Sequence, residues 1–153
     1  MEYQLPGQHP LIINTIILDL NGTLSVAGRI PQGVRPRLEQ LREKGFSVIL
    51  FTGNTRGDAD LLASELDIEW KLAKNGEDKR NLALGLHPET CAAIGNGRID
   101  LPLLQTVALP IVVLQEEGVY IETLQAAKIV VPAITDALDL FLEPERLIAT
   151  LRV

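Results

Sequence analysis

The chain has a single cysteine, Cys91, so no disulfide can form within it. It has no basic block: 14 Lys and Arg are interspersed among 20 Asp and Glu, and the net charge is −6. Nothing in it would track a phosphodiester backbone, and nucleic acid is not an expected partner. The N-terminus lacks the basic start of a signal peptide, and Asn14 and Asp19 interrupt its apolar run, so neither a signal nor a membrane span is supported. A cytoplasmic protein without a membrane partner is expected. Aromatic residues are scarce at 4%, and there is no internal repeat, low-complexity tract or linker. What remains is 153 residues, 46% of them hydrophobic, enough for one domain over residues 1–153 with a real core. Cys91 lies in the apolar run Cys91 to Ile94, where a buried thiol is expected rather than a nucleophile.

Short apolar runs alternate with helical spacing along the chain. Leu11 to Leu18, rich in β-branched residues, reads as a strand buried on both faces. Phe46 to Phe51, Cys91 to Ile94 and Leu109 to Leu114 read as further strands, and Ile68 to Leu72 as a weaker one. Val34, Leu38 and Leu41 share a helical face that stops at Gly45, and Ala59, Leu62 and Leu66 repeat the spacing after Thr55. Lys79 to Leu86 and Asp100 to Val107 predict shorter helices. Ile134, Ala137, Leu138, Phe141 and Leu142 line a helix after Pro132, and Glu145 to Leu151 predicts a last one. Strand then helix, repeated, predicts an α/β fold: a parallel sheet with helices on both faces.

The chemistry gathers at strand ends, where ligands of open parallel sheets bind. Asp19-Leu20-Asn21-Gly22-Thr23 closes the first strand, and Thr52-Gly53-Asn54-Thr55 closes the second. Gly95-Asn96-Gly97-Arg98-Ile99-Asp100 follows the strand at Cys91, and Lys79 lies near the start of a helix. Two carboxylates, a hydroxyl and an ammonium at one sheet edge suit phosphoryl transfer.

Asp19 to Thr23, then Thr52-Gly53, Lys79 and Gly95 to Asp100 resemble the four ordered motifs of the haloacid dehalogenase-like hydrolases. The soluble, P-type-ATPase-like phosphatases are the most similar branch. Gln125 to Val131 also resembles the segment that follows the fourth motif in the ATPase pumps. The resemblance implies a three-layer Rossmann-like fold and a phosphatase acting through an aspartyl-phosphate. It implies Asp19, Asn21, Thr52 and Lys79 as catalytic positions, with Thr52, Gly53, Asn54 and Lys79 binding the phosphoryl group. It further implies Mg²⁺ held by Asp19, the backbone carbonyl of Asn21, Asn96 and Asp100, oxygen donors that suit a hard cation. Lys74 is a rival for the lysine role.

The chain departs from that pattern at three places. Asn21 stands where most phosphatases of the superfamily carry an acid–base Asp, and an amide cannot move that proton. Asn96 replaces the first Asp of the fourth motif, which removes a negative metal ligand, and Ile99 replaces an Asn of the pumps. The intervals from Thr23 to Thr52 and from Leu72 to Lys79 are too short for an inserted cap domain. An open site accepts large substrates, such as a phosphorylated macromolecule, or small phosphorylated molecules under a neighbouring subunit as a lid. The positive mean hydropathy of +0.17 is compatible with a homo-oligomer. Arg29, Arg56 and Arg98 are candidates to meet an anionic substrate, each with a plain surface role as the alternative. Two alternatives to a phosphatase stand beside it: a catalytically weakened module that binds a phosphate ligand or a protein, and a phosphotransferase.

Overall fold

In the computed structural model, which describes residues 1–153, the first residues form a small antiparallel ribbon of β1 (Glu2–Tyr3) and β2 (Leu11–Ile12). The main sheet begins with β3 (Thr15–Asp19). The apolar run Leu11 to Leu18 is therefore two strands and not one. Asn14 makes the break: its N–H donates to the Thr90 carbonyl, its own carbonyl accepts from Ser47 N–H, and its side chain accepts from the N-terminal ammonium.

The chain continues through α1 (Val34–Glu43), β4 (Ser47–Thr52), α2 (Ala59–Leu66), β5 (Glu69–Leu72), α3 (Gly76–Leu84) and β6 (Cys91–Gly95). After β6 come a 3-10 turn over Arg98–Asp100, α4 (Leu101–Leu104), β7 (Leu109–Val113) and α5 (Ile121–Ala126). β8 (Ile129–Val131), α6 (Ile134–Leu142) and α7 (Pro144–Leu151) complete it. The six-stranded sheet is parallel throughout, in the order β5-β4-β3-β6-β7-β8.

Both faces of the sheet are covered, which is why Ile16, Ile17 and Leu18 are all fully buried. Ile16 and Leu18 belong to the larger core with Leu38 and Leu41 of α1, Ala137 and Phe141 of α6, and Leu147 of α7. Ile17, one residue out of phase, joins Ala83 of α3 and Leu103 and Leu104 of α4 on the other face. Each such aliphatic side chain contributes about 1.5–3 kcal/mol when fully buried. The fold is thus the expected three-layer, Rossmann-like α/β arrangement.

Several boundaries differ from the sequence reading. The helix predicted over Lys79 to Leu86 starts at Gly76, because Asn75 caps it by accepting from Asp78 N–H at 2.8 Å. The helix predicted over Asp100 to Val107 is the 3-10 turn plus four residues of α4. β1 and α5 lack a clear apolar pattern of their own, and β8 is a run of only three apolar residues; none of the three was predicted. Between β3 and α1 runs a loop, residues 20–33, and residues 73–75 alone join β5 to α3, so no cap is inserted at either place. No helix is long and apolar enough to cross a membrane.

Candidate active site

Register fixes where the strand ends meet. Asp19 pairs with Phe51 on one side and Leu18 with Ile94 on the other, so Thr52 and Asn96 lie one and two residues beyond their partners' level. A cavity of about 610 Å³ opens there, lined by Asp19, Asn21, Thr52, Gly53, Lys79, Asn96 and Asp100 among others. All the predicted positions except Asn54 are brought together. Asn54 takes a left-handed φ of 53°, and its Oδ1 accepts from Ala59 N–H at 3.0 Å, so the side chain serves the start of α2. Thr55 lines the cavity in its place.

Lys79 is the hub. Although it stands in the first turns of α3, its side chain is only 1% exposed, and Nζ lies 2.6 Å from Asp19 Oδ1 and 2.6 Å from Asp100 Oδ1. Lys74 is exposed and also lines the cavity, but it does not reach either carboxylate. Burial by itself would lower the Lys79 pKa; the charges of Asp19 and Asp100 reverse this and raise it, keeping the ammonium charged. Asp19 is pushed up to about 6, first by burial and then by the charge of Asp100, against the opposing pull of Lys79 and Thr23. Two carboxylates against one ammonium leave this buried group short of positive charge.

Asp100 is fully enclosed. Its Oδ1 takes the Lys79 ammonium, and its Oδ2 accepts from the N–H groups of Asn96 and Gly97, both at 3.0 Å. The turn is tight because Gly95 lets the carboxyl pack on the strand end, where a Cβ would stand 2.6 Å from Asp100 Cγ. This carboxylate shapes the loop and holds Lys79. Thr23 bridges the first and fourth motifs, donating within 3.1 Å of Asp19 Oδ2 and 3.3 Å of Asn96 Oδ1. Thr52 Oγ1 accepts from Asn54 N–H at 3.1 Å, which leaves its own proton free for a ligand.

Among the carbonyls of Asp19 to Thr23, one is a spare acceptor. The carbonyls of Asp19 and Leu20 accept from N–H groups within the loop, and those of Gly22 and Thr23 accept from Gln115 Nε2 at 2.8 and 2.7 Å. Asn21 O has no donor. Together with Asp19 and Asn96 Oδ1 it makes an all-oxygen donor set beside a carboxylate pair short of positive charge, and these residues fit a hard divalent cation. No three carboxylate, imidazole or thiol groups converge there, so the set is mixed carboxylate and carbonyl.

The sequence reading missed Glu117, Val119 and Tyr120, which close one wall of the cavity from the loop after β7. Arg29, Arg56 and Arg98 do not line it; Arg98 stands 5.6 Å over the Tyr120 ring. Cys91 is buried, as expected.

No family model matches the sequence. Over 135 residues the chain is 28% identical to a soluble P-type ATPase-like phosphatase of Methanocaldococcus jannaschii, a match covering 85% of this chain and 50% of that protein. It is 48% identical over 60 residues to an uncharacterised protein of the same organism, covering 39% of this chain and 64% of the other. The chain thus spans between half and two thirds of the curated relatives it matches. Among solved structures it is similar to a 3-deoxy-D-manno-octulosonate 8-phosphate phosphatase of Moraxella catarrhalis in complex with magnesium, phosphate and a KDO molecule. That likeness has a TM-score of 0.71 at 21% identity and covers 92% of this chain and 94% of the other. The fold is that of the haloacid dehalogenase-like hydrolases.

Proposed function

We propose that this chain, with the haloacid dehalogenase-like fold and a P-type ATPase-like phosphatase among its relatives, is a phosphatase that works through an aspartyl-phosphate. The observation that carries the reading is Lys79 at 2.6 Å from Asp19, at the floor of a cavity on the carboxyl edge of the central strands. A buried ammonium against a buried carboxylate at a ligand-accessible strand end is arranged for charge transfer onto a phosphoryl oxygen.

Asp19 attacks phosphorus with a carboxylate oxygen while the P–O bond to the leaving group breaks, splitting one displacement into two. Lys79 follows the charge: as the Asp19 carboxylate is neutralised by phosphorylation, its ammonium is released to the phosphoryl oxygens. Thr52 donates its hydroxyl to another of those oxygens, and Thr23 holds the second Asp19 oxygen in place. Asp100 keeps Lys79 from turning away. Asp19, the Asn21 carbonyl and Asn96 would hold a divalent cation, Mg²⁺ by analogy with the magnesium-bound structural relative. When bound, it supplies the positive charge the carboxylate pair lacks. Water then cleaves the aspartyl-phosphate, without a side-chain base at position 21. The cavity of about 610 Å³ suits a small phosphorylated molecule.

The test is hydrolysis of an aryl phosphate in Mg²⁺ by the wild type and Asp19→Asn, with acid-quench trapping of phosphoenzyme. Wild-type turnover, a trapped acid-stable phosphoprotein and loss of both in the variant are expected. Full turnover by Asp19→Asn would falsify the mechanism. Phosphoryl transfer to an added alcohol in place of water would recast the protein as a phosphotransferase.

A further inference from the structure

Asn96 carries no charge where the resemblance implies an Asp, and the same cavity holds a further carboxylate, Glu117, close to Asn96. The loop that follows β7 is fastened on both sides of Glu117. Ahead of it, Gln115, at a left-handed φ of 42°, donates to Gly22 O and Thr23 O and accepts from Ile134 N–H at 3.2 Å. Behind it, Asn96 Nδ2 donates to Gly118 O at 3.1 Å, and Tyr120 N–H donates to Asn96 O at 3.0 Å. The backbone between these anchors crosses over the nucleophile loop. A Cβ placed on Gly22 would stand 2.5 Å from Glu117 Oε2 and 2.5 Å from Asn96 Nδ2, so the carboxylate and the amide border one small space above Gly22. Glu117 lines the cavity with Asp19, Asn21 and Asn96, and it joins none of the chain's ion pairs.

We propose that Glu117 is the carboxylate that Asn96 lacks: a cation ligand supplied from the loop after β7, so that the site is completed by a third strand end. The inference rests on the reading of a divalent-cation site at Asp19 and Asn21. Asn96 keeps a neutral oxygen at the position nearest Thr23, and the negative charge moves to an exposed, four-bond side chain on an anchored backbone. Glu116 is its natural control. It is adjacent, exposed and equally charged, but it does not line the cavity.

The experiment is Mg²⁺ titration by calorimetry on chelator-treated protein: wild type, Glu117→Gln, Glu116→Gln and Asn96→Asp/Glu117→Gln, each checked for an unchanged metal-free melting temperature. Glu117→Gln is expected to weaken Mg²⁺ binding by at least about tenfold, the scale of loss when a supporting group is removed from a metal site. Glu116→Gln should stay within about twofold, since exposed charges at a distance are screened. Asn96→Asp on the Glu117→Gln background should recover the affinity, because the charge returns to its other location. Equal losses in the two Gln variants would reduce the effect to general electrostatics and overturn the proposal, as would an unchanged affinity in Glu117→Gln. Aryl phosphate hydrolysis dependent on Asp19 is measured on the same samples. Its presence alongside an indifferent Glu117 leaves the phosphatase reading standing and this proposal refuted, and its absence alongside weakened Mg²⁺ binding in Glu117→Gln does the reverse.

Discussion

Lys79 Nζ lies 2.6 Å from Asp19 Oδ1 with its side chain 1% exposed, so the charge that pairs with Asp19 is itself sealed from water. Lys79→Met removes it and leaves Asp19 and Asp100 facing each other in the interior. Breaking a buried pair from one side costs about 3–5 kcal/mol. Urea denaturation should show that loss, with aryl phosphate hydrolysis abolished. Lys74→Met, at an exposed position, should stay within about 0.5 kcal/mol of wild type. A large destabilisation from Lys74→Met and none from Lys79→Met would reverse the assignment.

Asp19 stands at about 6 against an ordinary 3.8, so the folded chain binds that proton more readily than the unfolded one. Its ionisation therefore detracts from stability: not at all below 3.8, progressively up to about 6, and fully above. At about 1.4 kcal/mol per unit the effect is on the order of 2–3 kcal/mol. In chelator at pH 7, Asp19→Asn should be more stable than wild type by up to that amount, and the gap should close as pH falls towards 4. Melting curves across that range check it. A gap that is constant or that widens in acid contradicts the electrostatic account.

Gly22 has φ 79°, and a methyl group there would meet Asn96 and Glu117 at 2.5 Å. Gly22→Ala should lose about 1–2 kcal/mol for the left-handed backbone and should weaken Mg²⁺ binding as well, since both displaced groups border the cation site. An alanine variant that keeps wild-type stability and Mg²⁺ affinity would mean that the loop has another low-energy path.

Without a proton donor at position 21, the leaving oxygen departs as an anion or takes a proton from water. Aryl and acyl phosphates should outrun alkyl monoesters, and phosphoenzyme should accumulate. Asn21→Asp should flatten the leaving-group dependence and speed breakdown of the intermediate by about 10²–10⁴-fold. Rapid-quench time courses read both steps. Equal wild-type rates on alkyl and aryl esters would show that another group supplies the proton.

Burial, with a smaller push from Glu89, raises the Cys91 thiol to about 11, and the side chain is fully enclosed at the start of β6. An aromatic disulfide reagent should leave it unmodified in the native protein at pH 8 and should titrate one thiol in urea. Rapid native labelling would place Cys91 at a surface.

The parts of the site that could be read from the sequence are those fixed by strand ends. Asp19, Thr52 and Asn96 follow apolar runs whose parallel pairing brings them to the same edge within one residue of level, and Gly45 follows α1 with φ 94°. Asn54 misled because a turn amide and a ligand amide look alike in sequence, and only the Ala59 N–H decides between them. Asp100 had a part that spacing could not show: backbone N–H groups and Lys79 take its oxygens, so it shapes the loop and holds the ammonium. Glu117 carried no signal. It follows β7 in a run that reads as a polar loop, and its place over Gly22 depends on the Gln115 anchors, which are long-range contacts.

The order of the sheet also sets how the crevice breathes. Its lining stands largely on the ends of β4, β3 and β6, adjacent central strands paired on both sides, with Lys79 of α3 beside them. The remaining wall includes the 114–118 loop, largely exposed and held by backbone bonds to Val131 and Pro132 at its start and by the side-chain amides of Gln115 and Asn96. Amide exchange should divide the site accordingly, with strand-end protons persisting to the global limit while those of the loop are lost early. On the phosphatase reading, product leaves and the next substrate enters on the loop's side.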